Sequence, residues 1–181
     1  SLYVKVVTTV FMFIGGVNFA LIFKLSTGHV RSVWQNETFR LYLMLILSVF
    51  VFFDVALLIN SSVTTDWESL TIDPLFQIIS MMSSTGYLVE GSENWGNAIF
   101  SVTLLLMFFG ACAGSTSGGA KIDRALLLWK NSRNELYRCI YPNHILAVNV
   151  NGKTMAPEVI NKVLVFISLY ILVIVLGGVA L

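Results

Sequence analysis

The chain has 181 residues, of which 56% are hydrophobic and only 12% charged, with a net charge of +1. A soluble globule devotes about 25% of its residues to charge, so this composition excludes one and makes the lipid bilayer the solvent. The net charge separates no class of partner, and the position of each charge along the chain is the informative quantity.

Apolar stretches run from Val6 to Phe23, from Leu41 to Ile59, from Ala98 onward and from Val163 to Leu181. Each approaches the roughly 20 helical residues that cross about 30 Å of hydrocarbon. The first lacks both the usual basic leader and a small-x-small exit, so it reads as a span rather than a cleaved signal. It is expected to continue through "VNFALIF" as an uninterrupted helix, with Asn18 bonding to a neighbouring helix. Lys24, Arg31 and Arg40 outnumber Glu37 in the next segment, which the positive-inside rule places in the cytoplasm. In the second span Asp54 lies roughly 20 Å from the cytoplasmic start. It is either a functional intramembrane acid or an acid near the outer interface bonded to another helix.

From Asn60 to Glu93 there are five acids and no Lys or Arg, so this segment faces outside. It contains "DPLFQIISMMSSTGYLVEG", in which Asp73 is expected to cap a helix opened by Pro74. Leu75, Ile78, Ile79 and Met82 follow at helical spacing until Ser83-Ser84-Thr85-Gly86 breaks the pattern. Ten residues reach about 15 Å, half the hydrocarbon core, so the chain enters the membrane and returns on the same side. Irregular backbone at that depth must be covered by protein or line an aqueous cavity. A helix C-terminus there favours a cation, and the carbonyls of Ser84, Thr85 and Gly86 can replace water around a dehydrated ion.

The third span holds "GACAGSTSGGAK", residues 110 to 121. Gly114 and Gly119 have Walker spacing, but Ala120 stands where the lysine belongs and Lys121 is followed by Ile122, so no nucleotide loop is expected. From Asn94 to Ala120 no residue is charged, yet the middle is built from poor helix formers. A span that unwinds there lines a pathway, while Gly110 and Gly114, as G-x-x-x-G, also suit close helix packing. Beyond it come seven Lys or Arg up to Lys162, against Asp123, Glu135 and Glu158, again cytoplasmic. Pro142 is expected to stop that helix, a hairpin to form around Asn151-Gly152, and Pro157-Glu158 to open the next helix. The excess of basic residues suits anionic lipid.

"MFIGG" from Met12 matches "MFFGA" from Met107, and "RLYLMLILSVFVFF" from Arg40 parallels "KVLVFISLYILVIV" from Lys162. These repeats imply the inner half of one unit, a whole second unit and the start of a third, and hence a fragment. Cys112 and Cys139 lie in different compartments without ligand spacing, and His29 and His144 lack clustered partners. No disulfide, metal centre or catalytic constellation is expected, and the chain does not read as an enzyme.

"IISMMSSTGY", "LLMFFGACAGSTSGGAKIDRALLLWK" and "FMFIGGVNFAL" together resemble the TrkH/KtrB (Trk/Ktr/HKT) family of potassium uptake proteins over nearly the whole chain. The resemblance implies an all-α membrane protein of repeated membrane-pore-membrane units around a pore like that of a potassium channel. Residues 1–24 would be the inner helix of the preceding repeat and 25–40 a cytoplasmic loop. Residues 41–130 would be a complete repeat, with a span at 41–60, pore helix 74–83, filter 84–87 and broken span 97–130. A cytoplasmic segment, 131–157, would precede the first helix of the next repeat, 158–181.

On this likeness Ser84, Thr85, Gly86 and Tyr87 form one quarter of the selectivity filter, with K⁺ at the carbonyls of Ser84, Thr85 and Gly86. Leu88 replaces the second glycine of the channel pattern T-V-G-Y-G, which bears on the number of ion sites and the sharpness of selection. Gly114, Ser115, Thr116, Ser117, Gly118 and Gly119 form a gating loop inside the filter. Lys121, at its cytoplasmic end, meters cations or snorkels to lipid phosphate. The likeness further implies K⁺ as the transported ion, Na⁺ or H⁺ coupling left open, and no covalent cofactor. It also implies a multi-pass protein of the cell inner membrane, in lipid, as a homodimer with a cytoplasmic nucleotide-binding regulatory subunit and no nucleic acid. The other reading is a secondary transporter that binds a small solute at the unwound helix.

Overall fold

The structure, a computed structural model, describes residues 2–59, 68–141 and 147–180, so expectations that fall on Asp66, Pro142, His144 and Leu181 lie outside the described residues. The chain divides into two compact units, Ser1–Ile122 and Asp123–Leu181.

The first unit is helical. Helix α1 (Leu2–Gly16) is followed by α2 (Phe19–Ser26), the short α3 (Val30–Trp34) and α4 (Glu37–Ile59). After a π-helical turn at Glu68–Ile72 come α5 (Asp73–Met82), a 3-10 turn at Ser92–Trp95 and α6 (Asn97–Phe109). At 23 residues α4 is about 35 Å long, enough to cross a bilayer. The pair α1 and α2 is long and apolar enough only when taken together, and it is bent by 105°. The expectation of an uninterrupted first helix is therefore wrong. Asn18 is the reason: its Oδ1 accepts from the Ala20 N–H at 2.8 Å and starts a new helix instead of bonding to a neighbouring one.

Helix α5 is the centre of the unit, packed against α1, α4 and α6. Pro74 and every residue from Phe76 to Met82 are buried, so this 10-residue helix, too short to span, is enclosed on all sides. Phe53 of α4 meets Trp95 edge-on at 6.4 Å, and Phe13 of α1 stacks on Tyr42 of α4 at 5.6 Å. Pro74 occupies the first turn as expected, but Asp73 does not cap the helix. Its carboxylate accepts from Lys5 Nζ at 2.7 Å, and Lys5 also reaches Glu68 at 3.0 Å. The ion pair outcompetes the cap because a full opposite charge is available within hydrogen-bond distance.

In the second unit α7 (Ile122–Ile140, its first residue in the first unit) precedes strands β1 (Asn149–Val150) and β2 (Lys153–Thr154) and helix α8 (Pro157–Ala180). The hairpin forms as expected, with Asn149 opposite Thr154 and both Asn151 and Gly152 left-handed, as a two-residue turn of this type requires. Leu127, Val148 and Val150 form a small core that fastens the hairpin to α7. Helix α8 is the second helix long and apolar enough to cross a membrane alone.

Candidate functional site

The chain leaves α5 through residues 83–89, and the side chains of α5 dictate their course. Ser80, fully buried, is the hub: its carbonyl accepts from the N–H groups of Thr85 at 3.0 Å and Gly86 at 3.4 Å. Its hydroxyl donates to the Tyr87 carbonyl at 2.7 Å. The buried Gln77 fixes the exit, its Oε1 accepting from the Val89 N–H at 3.1 Å. Ser83 and Thr85 share a hydroxyl-hydroxyl bond of 2.7 Å. Among the described residues no donor is directed at the carbonyl oxygens of Ser84, Thr85 or Gly86, whereas that of Tyr87 is engaged. Residues 84 to 88 are exposed in this chain, and a Cβ at Gly86 would meet nothing within 4 Å. Three successive acceptors thus border open space at the C-terminal end of a buried helix.

The second loop, between α6 and α7, breaks the helical path from Gly110 to Lys121. Many of its backbone N–H groups are satisfied within protein. The N–H groups of Ala120 and Ile122 donate to the carbonyls of Phe108 and Ala111, both at 3.0 Å. Ser117 Oγ accepts from the Ala111 N–H at 3.1 Å and lies 2.9 Å from Ser115 Oγ. Gly110 is not a helix-packing glycine, as its G-x-x-x-G spacing suggests. It has φ +69°, and a Cβ there would overlap the carbonyl oxygen of Gly118.

This loop is seated on the α1–α2 break. Thr116 donates to the Gly15 carbonyl through both N–H and Oγ1, each at 3.1 Å. Cys112 N–H reaches the Gly16 carbonyl at 3.2 Å, and Phe19 N–H reaches that of Gly114 at 3.1 Å. The two interrupted helices therefore complete each other's backbone hydrogen bonds, which neither could satisfy alone in lipid. Close approach is possible because Gly114 has no side chain: a Cβ would lie 3.1 Å from Asn18 Nδ2.

The two loops touch. Gly118 N–H donates to Ser84 Oγ at 3.1 Å, and both residues are exposed toward open space. Ser84 and Lys121 are left-handed at φ 58° and 51°, and a third such non-glycine residue, Asn151, is explained by its hairpin turn. Strain of this kind, about 1–2 kcal/mol per residue, is concentrated in the two loops. Lys121 is half-buried directly before α7, where a positive charge opposes the helix dipole.

Every residue singled out from the sequence in these loops is thus brought into one region of the first unit. The supporting set, Ser80, Gln77, Lys5, Gly15, Gly16 and Asn18, was not anticipated in these roles. "GGVN" carried a usable signal for the last three, since two glycines before an Asn are a plausible helix stop and restart. Asp54 has Oδ1 buried without a hydrogen-bond partner among the described residues, so of the two readings of this acid the bond to a neighbouring helix is not found at that oxygen.

A buried apolar helix too short to span, a loop whose carbonyls take no donor among the described residues and an opposed helix break, beside helices long enough to cross a bilayer, define a helical protein of the membrane class. Residues 1–181 match the family described as "TrkH: Cation transport protein", and the chain belongs to that family of membrane transporters, which are not enzymes. It is 28% identical over 98% of its length to Trk system potassium uptake protein TrkH of Salmonella typhimurium, covering 37% of that relative. To TrkH of Vibrio parahaemolyticus it is 31% identical over 97% of its length, covering 36%. The crystal structure of the potassium transporter TrkH from Vibrio parahaemolyticus superposes with a TM-score of 0.88 at 31% identity, over 97% of this chain and 38% of that one. The chain therefore spans little more than a third of the relatives it matches.

Proposed function

We propose that this chain is part of the pore-forming subunit of a Trk-type potassium uptake system. Ser84, Thr85, Gly86 and Tyr87 contribute one quarter of its selectivity filter, and Gly114 to Gly119 with Lys121 form the intramembrane gate. The observation that carries this reading is the row of carbonyls at Ser84, Thr85 and Gly86, with no protein donor among the described residues, beside the open space at Gly86. Such carbonyls can substitute for the hydration shell of a monovalent cation. The engaged Tyr87 carbonyl and Leu88 in place of a second glycine limit the row to three in this repeat.

The gate assignment is supported by contact between Gly118 and Ser84, which sets the loop against the filter. Solute binding at the unwound helix is less well supported, because Cys112, Gly114 and Thr116 of that break use polar groups on Gly16, Phe19 and Gly15. The remaining repeats, a second subunit in a homodimer, and a cytoplasmic nucleotide-binding regulator complete the proposed assembly in the cell inner membrane.

Rubidium uptake by the full-length protein, in cells lacking other potassium uptake and with expression checked, tests both assignments. Gly86→Asp should abolish uptake or its preference for potassium, and deletion of Gly114 to Gly119 should raise flux. Unchanged uptake in both variants would remove the pore assignment.

A further inference from the structure

Within the second unit a cavity of about 520 Å³ opens between α7 and β1, a volume typical of small-ligand sites. Lys130, Arg133, Asn134, Tyr137, Tyr141 and Asn149 supply its polar and aromatic lining, and among the described residues no carboxylate lines it. Lys130 Nζ is positioned by a 2.8 Å bond to the Asn149 carbonyl. Arg133 lies 5.6 Å from the Tyr137 ring centroid and has no carboxylate partner among the described residues, whereas Arg138, outside this cavity, pairs with Glu135 at 2.8 Å. The wall is held in place by Leu127, Val148 and Val150. Two cations, two amides and two phenol rings fit a phosphate ester carrying an organic group.

The neighbouring surface distinguishes the source of that phosphate. Trp129, Leu136 and Ile140 are 74%, 69% and 68% exposed. At 100° per residue they fall within about 40° of one another on α7, immediately beside the arc of Arg133, Tyr137, Lys130 and Tyr141. A charged cavity bordered by an apolar stripe matches an anionic headgroup attached to acyl chains, with Trp and Tyr at the boundary. From this juxtaposition we infer that the α7–hairpin cavity is a binding site for one anionic phospholipid, its phosphate held by Lys130 and Arg133. The inference is independent of the filter and gate assignments, and its test does not read transport.

The full-length protein in neutral detergent is titrated with phosphatidylglycerol, with phosphatidylcholine, and with ADP or inorganic phosphate, following the thermal unfolding midpoint. Phosphatidylglycerol should raise the midpoint saturably and the other additives should not. Lys130→Ala/Arg133→Ala should weaken the apparent affinity roughly thirtyfold, at the strength of two membrane-facing cations. Lys153→Ala, a basic change outside the cavity, should leave it unchanged. If the double variant does not fold, Arg133→Gln alone should weaken it about fivefold. Equal lipid dependence in wild type and cavity variants, or an equal loss in Lys153→Ala, overturns the site. Protection by ADP or inorganic phosphate that lipid cannot match overturns the lipid as occupant.

Discussion

Gly86 and Gly114 lack a side chain for different reasons. Both have positive φ, but a Cβ at Gly86 would enter open space while one at Gly114 would press on Asn18 at 3.1 Å. Alanine at either site adds about 1–2 kcal/mol of backbone strain, and only at Gly114 is there a packing conflict as well. Gly114→Ala should therefore lower the thermal midpoint of the full-length protein more than Gly86→Ala does, and Asn18→Ala should recover part of the difference. The opposite order would show that the loop is not seated on the break. Ser80 offers a second test, because its hydroxyl engages the Tyr87 carbonyl and so sets it apart from the three carbonyls proposed to bind the ion. Ser80→Ala removes a bond worth about 1 kcal/mol and should relax potassium-over-sodium preference by up to about fivefold, measured as sodium competition with rubidium uptake. Unaltered competition would separate Ser80 from selection. The break at Gly86 was legible because a Gly after three small polar residues ends an amphipathic helix; the hub role of Ser80 was not, because a serine inside that helix looks like any other.

At the scale of elements, hydrophobic length fixes α4 and α8, and Pro74 with the following period fixes α5, so these helices were readable from the sequence. The α1–α2 break went unread because "FMFIGGVNFALIF" is apolar apart from Asn18 and hydrophobicity says nothing about continuity; the local signal lay in "GGVN". The Asn18 cap restarts the helix, and a tertiary exchange of backbone bonds with the α6–α7 loop, beyond the reach of local pattern, satisfies groups that the break frees. On the proposed gating role, opening of the loop must break that exchange. Thr116→Val keeps the shape but removes the Oγ1 bond to Gly15, so uptake should rise about fivefold for a bond of about 1 kcal/mol if the closed loop limits flux. A fall in uptake with normal expression would contradict a latch. The Lys5 link to α5 is weaker: Lys5 and Glu68 are partly exposed, so Lys5→Ala should cost no more than about 1 kcal/mol in thermal unfolding. A larger loss would mean that the outer ion pairs hold α5 in place.

For the whole molecule, the exposed residues 84 to 88 and the apolar α8, none of whose span is buried within this chain, have the same meaning. On the proposed reading they are surfaces for further protein and for lipid, in keeping with coverage of 36% to 38% of these relatives. Paired apolar motifs suggest repeats in the sequence, but the proposed enclosure of an ion by several filter loops would be a property of the assembled protein. The central claim is that carbonyls of Ser84, Thr85 and Gly86 bind the transported ion. Anomalous diffraction from crystals of the full-length protein in rubidium tests it directly. The account predicts a rubidium peak within about 3 Å of those oxygens, the distance at which carbonyls replace water. A peak at the Gly110–Lys121 break, with none beside Gly86, would contradict it.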